Sequence, residues 1–114
     1  MRATDVKMTL QWLVPVGQSR SITDALHQLM IAARANRGCL GCSLATDIGT
    51  LVDIRYTEEW ADEAVLRYEL RSDRFARLAS LLESSSRPPS VEFTLPGGTR
   101  GLDYAVEVRA EPAD

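Results

Sequence analysis

Hydrophobic residues recur along this chain with two different periods. Val6, Met8, Leu10, Trp12 and Val14 alternate with Lys7, Thr9 and Gln11. A period of two predicts a half-buried strand, closed by Pro15-Val16-Gly17. Ile22, Leu26, Leu29, Met30 and Ala33 then fall on one stripe at helical spacing, which predicts a helix from Ile22 to Asn36. Ser21 is its expected cap, Arg34 and Arg37 suit its negative end, and Gly38 stops it.

Two strands follow, Cys39 to Ile48 and Leu51 to Trp60, joined at Gly49-Thr50. On the second, Val52, Ile54, Tyr56, Glu58 and Trp60 share one face, while Asp53, Arg55 and Thr57 take the other. Asp62 caps a second helical region with Val65, Leu66 and Leu70 on its apolar stripe. Ser72 reads as a fresh cap, after which Phe75, Leu78, Ala79 and Leu82 continue the pattern. Ser84 to Pro89 is a loop. Val91, Phe93 and Leu95 form another strand, ended by Pro96-Gly97-Gly98. Leu102, Tyr104, Val106 and Val108 alternate again, which predicts an extra C-terminal strand.

The order is β-α-β-β-α-β with an addition. It predicts an α+β, ferredoxin-like domain with an antiparallel sheet and helices on one face. The sheet's bare face is expected to pair with a second copy of the chain.

The chain has 114 residues, 45% of them hydrophobic and 25% charged, which fits one folded domain with a core at about residues 6 to 109. A net charge of -3 argues against a grip on nucleic acid or anionic lipid. Lys7 is the only lysine, so the remaining cations are arginines, whose forks suit carboxylates. No apolar run approaches the ~20 residues that span a bilayer, and the first residues lack a secretory core, so a cytoplasmic location is expected.

Tyr56-Thr57-Glu58-Glu59-Trp60 runs into Asp62-Glu63-Ala64 and Leu66, then into Ser72, Phe75 and Leu78. With Arg37-Gly38-Cys39, these residues resemble the antibiotic-biosynthesis monooxygenase-like domains of the dimeric α/β-barrel superfamily. The resemblance spans roughly residues 6 to 95. It implies two domains pairing sheet to sheet into a barrel, each with a pocket between sheet and helices. It also implies oxidation of quinols or polyketide aromatics by dioxygen without a bound cofactor in some members; relatives bind haem, degrade metabolites or have no known activity. Two positions depart from the pattern. Glu69 and Arg74 stand where many members carry histidines, which takes away the imidazoles of the usual pocket chemistry and any haem ligation through them.

The candidate bases are therefore Glu69, at the edge of the second apolar stripe, and His27, the single histidine. Glu69 either turns outward to pair with Arg34, Arg55 or Arg71, or points inward beneath Trp60 or Tyr56. Trp12, Tyr56, Trp60 and Phe75 are core residues or the walls of an aromatic-binding pocket, and Arg34 is a candidate for the same pocket. One histidine and no carboxylate cluster give no expectation of a metal, and no cofactor is implied. The reading is a cofactor-independent monooxygenase for a small aromatic or quinol; the alternatives are a non-catalytic dimeric domain that binds a small molecule or serves as an accessory, and a structural dimer with a filled core and no ligand, which a closed seam without a cavity would favour.

Cys39-Leu40-Gly41-Cys42 has redox-motif spacing. A regular strand would send the two thiols to opposite faces about 10 Å apart, beyond disulfide reach, unless the chain kinks at Gly41. Gly97 to Gly101 is glycine-rich but lies between expected strands, so it reads as a hairpin turn rather than a phosphate cradle.

Overall fold

The computed structural model describes residues 6–111. Strand β1 (Val6–Pro15) leads into helix α1 (Val16–Arg34), and strands β2 (Cys39–Ile48) and β3 (Leu51–Trp60) form a hairpin. Helices α2 (Glu63–Leu70) and α3 (Asp73–Leu82) follow, then strands β4 (Ser90–Leu95) and β5 (Gly98–Arg100) and helix α4 (Leu102–Ala110). The sheet runs β2-β3-β1-β4-β5 with every neighbouring pair antiparallel. Its first four strands have the ferredoxin-like order.

The alternation in β1 and β3 puts Met8, Leu10, Trp12, Ile54, Tyr56, Glu58 and Trp60 on the helix-covered face, each at most 1% exposed. Leu26, Leu66, Leu70, Phe75 and Leu78 close the core from the helices. The opposite face is polar. Gln11 donates to both Asp53 oxygens at 3.1 and 3.0 Å, and Arg55 lies 3.6 Å from Asp53.

The second helical region breaks at Ser72, as its two misaligned stripes suggest. Ser72 Oγ accepts from the Phe75 N–H, and Asp62 accepts from the Val65 N–H, so each helix has its own side-chain cap. The entry to β2 is tight. A Cβ on Gly38 would meet Val65 Cγ1 at 2.6 Å.

Three expectations are corrected. Helix α1 starts at Val16, six residues before the expected Ile22, with Pro15 as its N-cap residue. Ser21 does not cap it; Ser19, Ser21 and Thr23 turn their hydroxyls back to the carbonyls of Val16, Gln18 and Arg20 and so fit inside the helix. The extra C-terminal strand over Leu102 to Val108 is helix α4. Tyr104, Ala105 and Val108 are the residues it buries, a spacing no strand can place on one face, while Val106 is 62% exposed. The added strand is β5, and the glycine-rich stretch before α4 thus precedes a helix; its first turn already carries Asp103, which accepts from Arg100 at 2.8 Å.

The third correction concerns the cysteines. The β2–β3 register shifts between Cys39 and Gly41, so that Cys39 faces Trp60 and Cys42 faces Glu58. Both partners point into the core. A β-bulge therefore brings both thiols to the helix-covered face.

No helix among the described residues is long and apolar enough to cross a membrane.

Candidate functional site

The polar centre of the molecule is a chain of hydrogen bonds buried between β3 and the α2–α3 corner. Period two in β3 carries Glu58 to the core side between Tyr56 and Trp60, where its carboxylate is 1% exposed. A carboxylate so placed costs heavily unless a cation meets it. Arg74, in the first turn of α3, supplies the cation. Its two terminal nitrogens reach Glu58 Oε2 at 2.6 Å and Glu58 Oε1 at 2.9 Å. The Tyr56 hydroxyl donates to the same Oε2. The Arg74 guanidinium also lies 5.6 Å from the Trp60 ring centre, within cation–π range.

Glu69 completes the arrangement from α2. It is 8% exposed. Arg74 Nε donates to its Oε1 at 3.3 Å, and Asn36 Nδ2, just beyond α1, donates to its Oε2 at 3.2 Å. Asn36 is itself fixed, since its Oδ1 accepts from the Gly38 N–H at 2.8 Å. Ser72, which caps α3, also donates to the Glu69 carbonyl at 2.6 Å, and this tight corner sets Glu69 and Arg74 face to face.

The electrostatics follow from burial. Burial, together with the adjacent Glu58 carboxylate, pushes the Tyr56 phenol well above its ordinary range, so it stays protonated and donates. Burial alone would lower Arg74, but the bonds and charge of Glu58 outweigh it and hold the guanidinium protonated. The network holds two carboxylates and one guanidinium, so it is rich in acceptors.

The structure divides the candidate residues. Tyr56, Trp60 and Glu69 come together around Arg74. Glu69 turns inward, and its cation is Arg74 rather than Arg34, Arg55 or Arg71. Trp12 is 1% exposed in the core and borders a separate hollow of about 230 Å³ with Gln11, Ser85 and Pro88. Phe75 is 4% exposed and lines an apolar groove of about 370 Å³ between α3 and α4, with Ala79, Leu102, Ala105 and Val106. His27 and Arg34 are exposed on α1, where Arg34 reaches the Cys42 carbonyl at 3.4 Å. Among the described residues no group of three or more His, Cys, Asp or Glu side chains is placed to hold a metal.

Sequence reasoning passed over Glu58, Arg74 and Asn36 as site residues. The signal for Glu58 was present, since a carboxylate in a core-facing register requires a buried cation.

No protein-family model matches the chain, and no curated protein does. Solved structures do. A conserved protein of Methanosarcina mazei superimposes with a TM-score of 0.66 at 17% identity, over 80% of this chain and 91% of that one. A structure described as an antibiotic biosynthesis monooxygenase gives 0.63 at 22% identity, over 77% and 94%. A Bacteroides fragilis protein, described as dimeric with a ferredoxin-like fold, gives 0.62 at 10% identity, over 81% and 95%. The chain thus has the α+β ferredoxin-like fold found in antibiotic-biosynthesis monooxygenase-like structures.

Proposed function

We propose that the domain is a cofactor-independent monooxygenase acting on a small aromatic phenol or quinol at the outer edge of the seam, and that it works as a homodimer. The observation that carries the reading is Glu69, a buried carboxylate facing the Arg74 guanidinium beside Trp60. Removing an acidic proton makes a phenol electron-rich enough to reduce dioxygen. Glu69 takes that proton at a carboxylate oxygen, and the Arg74 terminal nitrogens, which keep hydrogens beyond those given to Glu58, steady the anion left behind. For a ring methylene the balance is CH₂ + O₂ → C=O + H₂O. Trp60 gives the substrate a flat wall, and the closed seam excludes water from the intermediate. Tyr56 and Trp60 are at most 1% exposed, so entry requires the rim of the seam to open. His27 is exposed on α1, outside this arrangement, so the base we propose is Glu69.

Oxygen uptake with a panel of quinols and anthrone-like phenols tests the reading. Wild type consumes oxygen with at least one member, and Glu69→Gln, still folded by circular dichroism, loses most of the rate. Absence of uptake by wild type across the panel counts against it.

A second reading, non-catalytic binding of a small apolar molecule, is favoured by the groove between α3 and α4. Its volume of about 370 Å³ is in the range of small-ligand sites, and its floor is apolar. Binding that perturbs Phe75 and Ala105 without oxygen uptake would support it.

A further inference from the structure

We propose that Cys39 and Cys42 form a reversible dithiol–disulfide pair, a modification site at the entry to β2. Both cysteines are free and half-buried. The bulge takes up one residue between them, so their opposing partners, Trp60 and Glu58, are only two residues apart on β3. At ~3.3 Å per strand residue, that opposing spacing is about 6.6 Å, against about 10 Å for three residues of a regular strand. That is at the upper end of the disulfide range, which reaches ~6.8 Å. The same register puts both side chains on one face, where a regular strand would separate them.

The remaining approach is a pivot of the intervening peptide, and the site leaves room for it. Nothing lies within 4 Å of where a Gly41 Cβ would stand, and Leu40 is 49% exposed. Neither sulfur is tied strongly: Cys39 Sγ donates to the Gly41 carbonyl at 3.6 Å, and Cys42 Sγ to the Met30 carbonyl at 3.9 Å.

The oxidant is a hydroperoxide. The Cys42 sulfur attacks a peroxide oxygen, the O–O bond breaks, and a sulfenic acid and water form. The Cys39 sulfur then attacks the Cys42 sulfur, the S–S bond forms and a second water leaves. The sum is 2 RSH + H₂O₂ → RS–SR + 2 H₂O, with two electrons passing from sulfur to oxygen. Exchange with a dithiol reverses it. Burial, with Cys42 and the Glu58 carboxylate nearby, raises the Cys39 thiol against ionisation, which suits it to the second step.

The test is graded hydrogen peroxide on the folded full-length chain, then alkylation and mass spectrometry. The expected product has lost two hydrogens, carries no alkylated cysteine, and recovers both thiols in dithiothreitol. Cys39→Ser and Cys42→Ser each abolish it, and Gly41→Val, which stiffens the pivot, slows closure several-fold. Two alkylatable thiols surviving full peroxide treatment would overturn the proposal. So would sulfinic acid or between-chain crosslinks as the sole products.

Discussion

Arg74 holds Glu58 through both of its terminal nitrogens, at 2.6 and 2.9 Å, although the two residues come from strand β3 and helix α3. The same guanidinium reaches Glu69 from its Nε. Removing the cation strands two buried carboxylates. Arg74→Met is expected to cost about 3–5 kcal/mol, read as a lower urea midpoint. Adding Glu58→Leu to Arg74→Met removes the more deeply buried of the two stranded charges, and the double variant should recover part of that loss. A double variant no more stable than the single would show that the pair does not act as a unit.

Tyr104 ties α4 to α2. Its hydroxyl donates to Glu63 at 2.7 Å, its ring lies 5.2 Å from that of Phe93, and burial and the Glu63 bond push its phenol up to about 12. The folded state therefore keeps a proton that the unfolded chain releases near pH 10. The stabilisation is complete below about pH 10 and falls as pH rises through about 12. Tyr56 shifts in the same direction and adds to the loss. Urea midpoints should drop across this window in wild type and drop less in Tyr104→Phe.

Gly38→Ala places a methyl 2.6 Å from Val65 Cγ1, so that Val65 must turn or α2 or β2 must shift. The expected cost is about 1–3 kcal/mol. Val65→Ala in the same background should recover part of it, because the clashing atoms are gone.

The uncovered sheet face carries Thr9, Gln11, Asp53, Arg55 and Thr57. As a homodimer, the protein should scatter light at twice the 12.6 kDa chain mass at micromolar concentration. Thr57→Arg, placed in the middle of that face, should shift it towards monomer. A wild-type mass of one chain would remove pairing from the account.

Where the sequence was legible and where it was not has a physical basis. Period two in β1 and β3 marked the buried residues because one face of each strand is fully covered. Ser72 was recognisable as a cap because two stripes met there out of phase. Helix α4 was misread because Leu102, Tyr104, Val106 and Val108 alternate by chance, while the core selects Tyr104, Ala105 and Val108. The Cys39–Cys42 bulge left no mark beyond Gly41. Among the candidate residues, inward placement of Glu69 was one of two open readings. Its partners Arg74 and Asn36 depend on how α2, α3 and the end of α1 meet, which no local pattern encodes.

The proposed chemistry requires the Glu69–Arg74 pair to accept a phenolic proton and hold the resulting anion. Titrating a hydroxyanthraquinone dye, at a pH where the free dye is neutral, and recording its visible absorption tests this most directly. Bound dye should show the red-shifted phenolate band with wild type, and the band should be lost or greatly weakened with Glu69→Gln. Dye that binds but keeps its neutral spectrum, or ionises equally well on Glu69→Gln, would contradict it.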